Sequence, residues 1–267
     1  MAHPEFHFCF GPQPGGYIVA WPGRWEMGHN IHQAMLDLMY SFESDIGHLR
    51  WAAMGDDCYA AWLFTHSKGI RMQVSPAFEL NLPGAYAFLL KMLLRHRQRN
   101  MSVAMGPGSA IVISAPGRDQ VYTHHLDPFV EAKIFKFDNV RHVALGVGGA
   151  HVIFHSDGID WDLRGYYDTL ESILKQQNSE SPDGLRSVEY VALNPWRAGE
   201  FVLVKKDRSV HFEVFHSVAD ELKGILEDYK NFSPPNGPEQ PRTRAPQTAS
   251  QASNAADTPA PPPPALP

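Results

Sequence analysis

Chemistry in this chain would come from its histidines, carboxylates, two cysteines and loop tryptophans, so their spacing is the first question. Histidine is abundant, at 14 residues, which raises a metal site. His151 and His155 share a predicted strand face, but four residues along a strand is about 13 Å. Two imidazoles that far apart cannot share one ion with bonds of about 2 Å. His29 with His32, at a predicted helix start, and His211 with Glu213, on a predicted strand, are close enough to converge. Neither pair has a third ligand nearby in sequence. Both read as solvated side chains, and no metal or other cofactor is expected. The densest polar cluster is Asp157, Asp160 and Asp162 with Arg164. It reads either as a binding site at the mouth of one structural unit, or as a turn aspartate followed by the solvent side of an alternating strand. Trp196 and Arg197 lie in the loop Asn194-Pro195-Trp196-Arg197-Ala198-Gly199. A loop tryptophan beside an arginine suits a partner-binding hot spot or a sugar-stacking platform. It suits equally a side chain folded back over an interface between units. The candidate binding residues are therefore Trp196, Arg197, Asp160, Asp162 and Arg164, with no catalytic residue and no metal ligand assigned.

The elements that would position these residues come from a repeated pattern. A short apolar motif runs into a glycine-type turn at Phe8-Cys9-Phe10-Gly11, Ala52-Ala53-Met54-Gly55, Val103-Ala104-Met105-Gly106, Val143-Ala144-Leu145-Gly146 and Val191-Ala192-Leu193-Asn194. A second apolar strand follows each time, and the motif starts lie 44, 51, 40 and 48 residues apart (52−8, 103−52, 143−103, 191−143). Self-similarity at such a period predicts an array of supersecondary units.

The fourth unit is the clearest. The pattern predicts strands at 140–145, 150–155 and 159–163, with Ser156-Asp157-Gly158 as the hairpin turn. Asp168, three residues before Glu171, predicts a capped helix with Leu170, Ile173 and Leu174 on its apolar face. The fifth unit copies this with strands at 190–193, 200–205 and 210–215 and a helix capped by Ser217. The first predicts strands at 6–10, 17–21 and 24–27, then a helix over 31–42 capped by Asn30. The second is stretched, with a helix over about 85–97. The third is compressed, and 127–137 makes a poor helix because Pro128 fits only a first turn. The unit is strand-strand-strand-helix, at residues 5–44, 48–100, 101–138, 139–180 and 186–230. Each unit exposes an apolar sheet face that it must bury against neighbours. The fold class expected is α+β, five tandem βββα units closed as a five-bladed α/β-propeller-like ring, which removes the exposed ends of an open stack. An open array and an all-β propeller are the alternatives.

In unit content and number, residues 5–230 resemble the pentein, or α/β-propeller, architecture. The resemblance implies a pseudo-fivefold axis. It also implies that a catalytic member would use a cysteine nucleophile with a histidine and acidic groups on a guanidine-type substrate. Only Cys58 would suit that role here. Asp56 and Asp57 precede it, and adjacent carboxylates raise a thiol pKa, against the thiolate that such chemistry needs. The superfamily's catalytic cysteine comes late in the chain, where this sequence has none, and no catalytic motif of the superfamily matches. Cys9 takes the place filled by Ala53, Ala104, Ala144 and Ala192, that of a small core residue. The glycine runs at 11–16, 106–108 and 146–149 precede strands and lack a following Lys-Ser/Thr, so they read as hairpin turns and not as phosphate loops.

Bulk properties narrow the function classes. The formal net charge is −6. An acidic chain has no broad electrostatic reason to hold nucleic acid or an anionic membrane. Two cysteines make no disulfide framework, and no stretch has the ~20 apolar residues of a membrane span or the pattern of a secretory signal. An intracellular, cytoplasmic protein is the expectation. From residue 231 the composition turns to Pro, Ala, Gln, Ser and Thr, which predicts a disordered tail. Residues 258–267 carry Pro261-Pro262-Pro263-Pro264, which reads either as a tail without a partner or as a polyproline ligand for an aromatic groove. The function that fits best is a non-catalytic scaffold binding a protein partner through its loops, with a cysteine-dependent enzyme and a carbohydrate-binding module as alternatives.

Overall fold

The structure is a computed structural model, and it describes residues 6–31, 48–55, 60–66, 69–74, 101–115, 120–180 and 184–232. Within these residues the chain is α+β and forms five antiparallel sheets of three strands each. Sheet 1 holds β1 (His7–Phe10), β2 (Tyr17–Trp21) and β3 (Arg24–Met27). Sheet 2 holds β4 (His48–Met54), β5 (Ala60–His66) and β6 (Gly69–Val74). Sheet 3 holds β7 (Ser102–Met105), β8 (Ile111–Ala115) and β9 (Gln120–His124). Sheet 4 holds β10 (His142–Leu145), β11 (His151–His155) and β12 (Gly158–Asp162). Sheet 5 holds β13 (Val188–Leu193), β14 (Phe201–Lys205) and β15 (Val210–Glu213). Three α-helices follow the last three sheets: α1 (Pro128–Ile134), α2 (Asp168–Glu180) and α3 (His216–Lys230). The helices expected over 31–42 and 85–97, and the tail from 233, lie outside the described residues.

Strand order explains the burial pattern. In every sheet the strands pair in sequence order, so the middle strand is always the second of the three. The middle strands β2, β8 and β11 are buried along their whole length. The third strands β3, β12 and β15 are only partly covered: Arg24, Glu26, Asp160, Asp162, His211 and Glu213 lie along them. Charged residues on an edge strand discourage pairing with another chain.

Each helix wedges between two sheets. Val130 and Ile134 of α1 pack with Val112 of sheet 3 and Val143, Leu145 and Ile153 of sheet 4. Leu170 and Leu174 of α2 pack with Val152 and Phe154 of sheet 4 and Val191, Leu193 and Leu203 of sheet 5. Leu222, Leu226 and Tyr229 of α3 pack with Val202 and Val204 of sheet 5 and with Phe8, Val19 and Trp21 of sheet 1. Sheet 5 thus gives alternate residues to α2 and α3. Burial on both faces is why its middle strand β14 reads as a continuous apolar run instead of an alternating one.

The first strands meet one another. β1 lies beside β4 and β13, β7 beside β4 and β10, and β10 also beside β13. The residue just before the apolar motif bonds across several of these seams. His7 Nε2 is 2.7 Å from the Ala52 carbonyl oxygen and 2.9 Å from its amide nitrogen. His142 Nε2 donates to the Val191 carbonyl at 2.8 Å, and its Nδ1 is 3.0 Å from Ser102 Oγ. The Tyr190 hydroxyl donates to the Phe8 carbonyl at 2.6 Å. In each of these three seams the backbone partner, Ala52, Val191 or Phe8, is the first residue of an apolar motif.

Helix starts differ from the sequence reading. Asp168 is the first residue of α2, not its cap, and Ser217 lies inside α3, whose preceding residue Phe215 makes no side-chain cap bond. The Tyr167 carbonyl accepts the first helical bond of α2 from the Glu171 amide at 2.9 Å. Tertiary packing of the Tyr167 ring takes the position that the sequence assigns to a polar cap. Asp127 is a true cap, accepting from the Phe129 and Val130 amides, with Pro128 in the first turn of the short α1.

Candidate interaction surface

All five first strands line one small cavity of about 40 Å³. A water needs roughly 10–15 Å³ of such space, so the cavity has room for a few waters. Phe8, Phe10, Met54, Met105, Leu145 and Leu193 are among its lining residues. Cys9 also lines it, and its thiol pKa is raised well above the ordinary thiol value by burial, only partly offset by a backbone hydrogen bond at Ile18. That thiol is a poor nucleophile. Among the described residues, the polar and aromatic candidates lie on the outer surface.

The cluster around Asp160, Asp162 and Arg164 belongs to such a surface. Asp160 pairs with Lys133 of α1 at 2.8 Å, tying sheet 4 to the preceding helix. Asp162 uses both oxygens on Arg164: Oδ1 accepts from the backbone amide at 3.1 Å and Oδ2 faces Nε at 3.0 Å. Arg164 has a φ of 54°, in the left-handed region that side-chain-bearing residues seldom occupy. The two Asp162 bonds hold it there. Its guanidinium then sits over the Phe129 ring, 4.9 Å from the centroid. Phe129 is 58% exposed and Tyr166 is 42% exposed. Tyr166 lies against the Gly148 turn so closely that a Cβ on Gly148 would fall 2.6 Å from its ring.

His151 shapes the floor of this surface. It pairs with Leu145, the place held by Tyr17, Ile111 and Phe201 in sheets 1, 3 and 5. It is fully buried, its Nδ1 lies 2.9 Å from the Gly149 carbonyl, and its Nε2 has no hydrogen-bond partner. A carbonyl can only accept, so Nδ1 carries the proton and pins the glycine turn under Tyr166. Burial lowers the pKa of His151, and the hydrogen bond to the Gly149 carbonyl, with smaller help from Asp162 and Asp160, offsets this only in part. Asp157, by contrast, sits in the hairpin turn, where its carboxylate accepts from Ser156 Oγ at 3.2 Å.

The Trp196 loop is the neighbouring segment. Trp196 is half-buried and packs on the core formed by α3 and sheets 1 and 5. Arg197 donates to the Pro12 carbonyl in the first turn of sheet 1 at 3.1 Å. Asn194 donates to Glu200 at 2.7 Å, and burial raises the Glu200 pKa against the lowering effects of Asn194 and Arg197. The Tyr167 hydroxyl donates to the Asn194 carbonyl at 2.6 Å and accepts from the Val147 amide at 3.0 Å. The loop meets the aromatic surface through the Gly199 amide, which donates to the Tyr166 carbonyl at 2.8 Å.

No family model matches the chain, and no curated protein or solved structure is significantly similar to it. The surface must be judged on its own chemistry.

The remaining sequence candidates sit elsewhere. His29 pairs with Glu221 at 3.0 Å, and Glu213 accepts from Thr169 at 2.9 Å. Among the described residues no three metal-ligating side chains converge. Cys58 and His32 lie outside the described residues. No helix among the described residues is long and apolar enough to cross a membrane. Phe129 and Tyr166 escaped the sequence reading, and His151 entered it only as a metal-ligand candidate with His155. The one available signal was His151, a polar residue in a slot that is apolar in the aligned strands.

Proposed function

We propose that residues 5–230 close into a ring of five βββα units, resembling the pentein architecture, and that this ring is a non-catalytic scaffold. It binds a protein partner through the surface around Phe129, Arg164 and Tyr166 and the adjoining Trp196–Arg197 loop. The ring reading is supported by the seam bonds. Tyr190 joins sheet 5 to sheet 1 with the same donor position and the same acceptor position as the bonds from sheet 1 to sheet 2 and from sheet 4 to sheet 5. The place of α3 between sheets 5 and 1, like that of α2 between sheets 4 and 5, supports it too.

The observation that carries the binding reading is Arg164 held in a left-handed conformation over an exposed phenylalanine. Such a backbone costs roughly 1–2 kcal/mol and persists only where other contacts impose it. Arginine and aromatic side chains are the residue types that dominate interface energetics. The test is affinity capture with the wild-type chain, a Phe129→Ala/Tyr166→Ala variant and a Phe135→Ala control, Phe135 being 59% exposed on the far end of α1. The double variant is expected to lose a partner that the control keeps. Identical partner sets for all three would overturn the assignment of this surface.

A further inference from the structure

The surface around Phe129 has a chemical complement in the same chain, an inference that rests on the interaction reading above. Residues 260–267 read Ala-Pro-Pro-Pro-Pro-Ala-Leu-Pro. Consecutive prolines favour the polyproline II helix, with three residues per turn and no internal hydrogen bonds. Their carbonyls are left as free acceptors, and their rings present flat apolar faces. Receptors for such segments offer exposed aromatic rings and a few donors at their edge. Phe129 and Tyr166 supply exposed rings, and the Tyr166 hydroxyl and the Arg164 guanidinium supply donors. Pro128 and Gly148 are also exposed beside these rings. Arg164 is balanced by Asp162, and residues 258–267 carry no charged side chain, so contact needs no unpaired charge to be buried.

The connecting chain has a definite reach. The last described residue, Phe232, and Ala260 are 28 residues apart (260−232). A flexible chain of that length spans about 30 Å on average. α3 is 15 residues, about 22 Å, and its first turn packs at the Gly15 turn, where Val218 approaches. A chain leaving the far end of α3 must therefore come back by about one helix length and also cross from the seam of sheets 5 and 1 to that of sheets 3 and 4. Tethering supplies an effective concentration of about millimolar, so a weak contact is populated.

We propose that residues 260–267 dock as a proline helix on the Phe129–Arg164–Tyr166 surface of their own chain and compete there with an outside partner. The test uses the full chain with isotope-labelled tyrosine and phenylalanine rings. The wild type is compared by nuclear magnetic resonance with a variant carrying Pro261→Ser, Pro262→Ser, Pro263→Ser and Pro264→Ser. The Tyr166 and Phe129 ring signals are expected to move in the variant, and the wild-type signals to be unchanged on tenfold dilution. A synthetic peptide of residues 260–267 added to the variant is expected to return them toward the wild-type positions. Ring signals identical in the two chains would overturn the proposal. A shift that disappears on dilution would overturn it in favour of contact with a second copy. If the signals are identical while the Phe129→Ala/Tyr166→Ala chain still loses its partner, the tail docking fails and the interaction surface stands. Failure of both tests removes both.

Discussion

His151 carries a penalty that the side chains in its equivalent positions avoid. A buried imidazole nitrogen without a partner costs about 1–3 kcal/mol, whereas Tyr17, Ile111 and Phe201 fill the matching places at no such cost. Its folded-state pKa lies below the ordinary 6.5, with desolvation as the main cause. His155 and His211 are shifted the same way by the same main cause. The sign follows: as pH falls through 6.5, these groups take up protons more readily in the unfolded chain, so stability present above that pH is lost below it. The urea midpoint is expected to drop between pH 7 and pH 5, and to drop less in a His151→Phe variant. Equal slopes in the two chains would show that His151 does not contribute. This residue was visible in the sequence as one of a strand pair, and the spacing argument against a shared metal needed nothing more. Its burial was not visible, because a histidine in an apolar run reads equally as a solvated face. Arg164 was picked out for its charge, but the left-handed backbone that aims it depends on Asp162, and no periodicity encodes that.

Elements were most legible where glycine-type turns punctuate apolar runs. The hairpins at 11–16, 106–110 and 146–150 close alike: the Gly11, Gly106 and Gly146 amides donate to Gly16, Ala110 and Ala150 carbonyls at 2.8, 2.8 and 2.7 Å. The reason for glycine differs from the usual one at Gly146. Its φ of −126° is open to any residue, but a Cβ there would lie 2.7 Å from the Tyr167 hydroxyl and 3.0 Å from Leu193. Gly146→Ala is therefore expected to destabilise the fold by about 1–3 kcal/mol, as overpacking of a filled site does. Chemical denaturation checks this, and an unchanged midpoint would mean that the ring of Tyr167 can move aside freely. Helix starts were read less well. The stretch 127–137 was read as a poor helix, yet Asp127 caps a short α1 with Pro128 in its first turn. At α2 and α3 a polar residue one or two positions too late was given the cap, because aromatic side chains at 167 and 215 are committed to packing and local rules do not see that commitment.

At the scale of the molecule, periodicity pointed to the strand triplets, but the seams between them are tertiary and leave only a faint mark. The mark is the residue before four of the five motifs: His7, Ser102, His142 and Tyr190 are hydrogen-bonding types at the edge of apolar runs, whereas Trp51 before the second motif leaves its Nε1 without a partner. Tyr190 is the decisive one, since it spans 182 positions in sequence to reach Phe8. Tyr190→Phe keeps the ring and orphans a buried carbonyl, so a loss of about 1–3 kcal/mol is expected. A neutral substitution would mean that this bond adds nothing to the seam. The same seam offers a direct test of ring closure. The rings of Phe6 and Tyr229, at opposite ends of the five-unit region, have centroids 4.7 Å apart. Nuclear Overhauser spectra of the full chain with labelled aromatic rings should therefore contain a strong cross-peak between the Phe6 and Tyr229 ring protons, unchanged on dilution. Assigned ring signals with no cross-peak between them would contradict the closed ring.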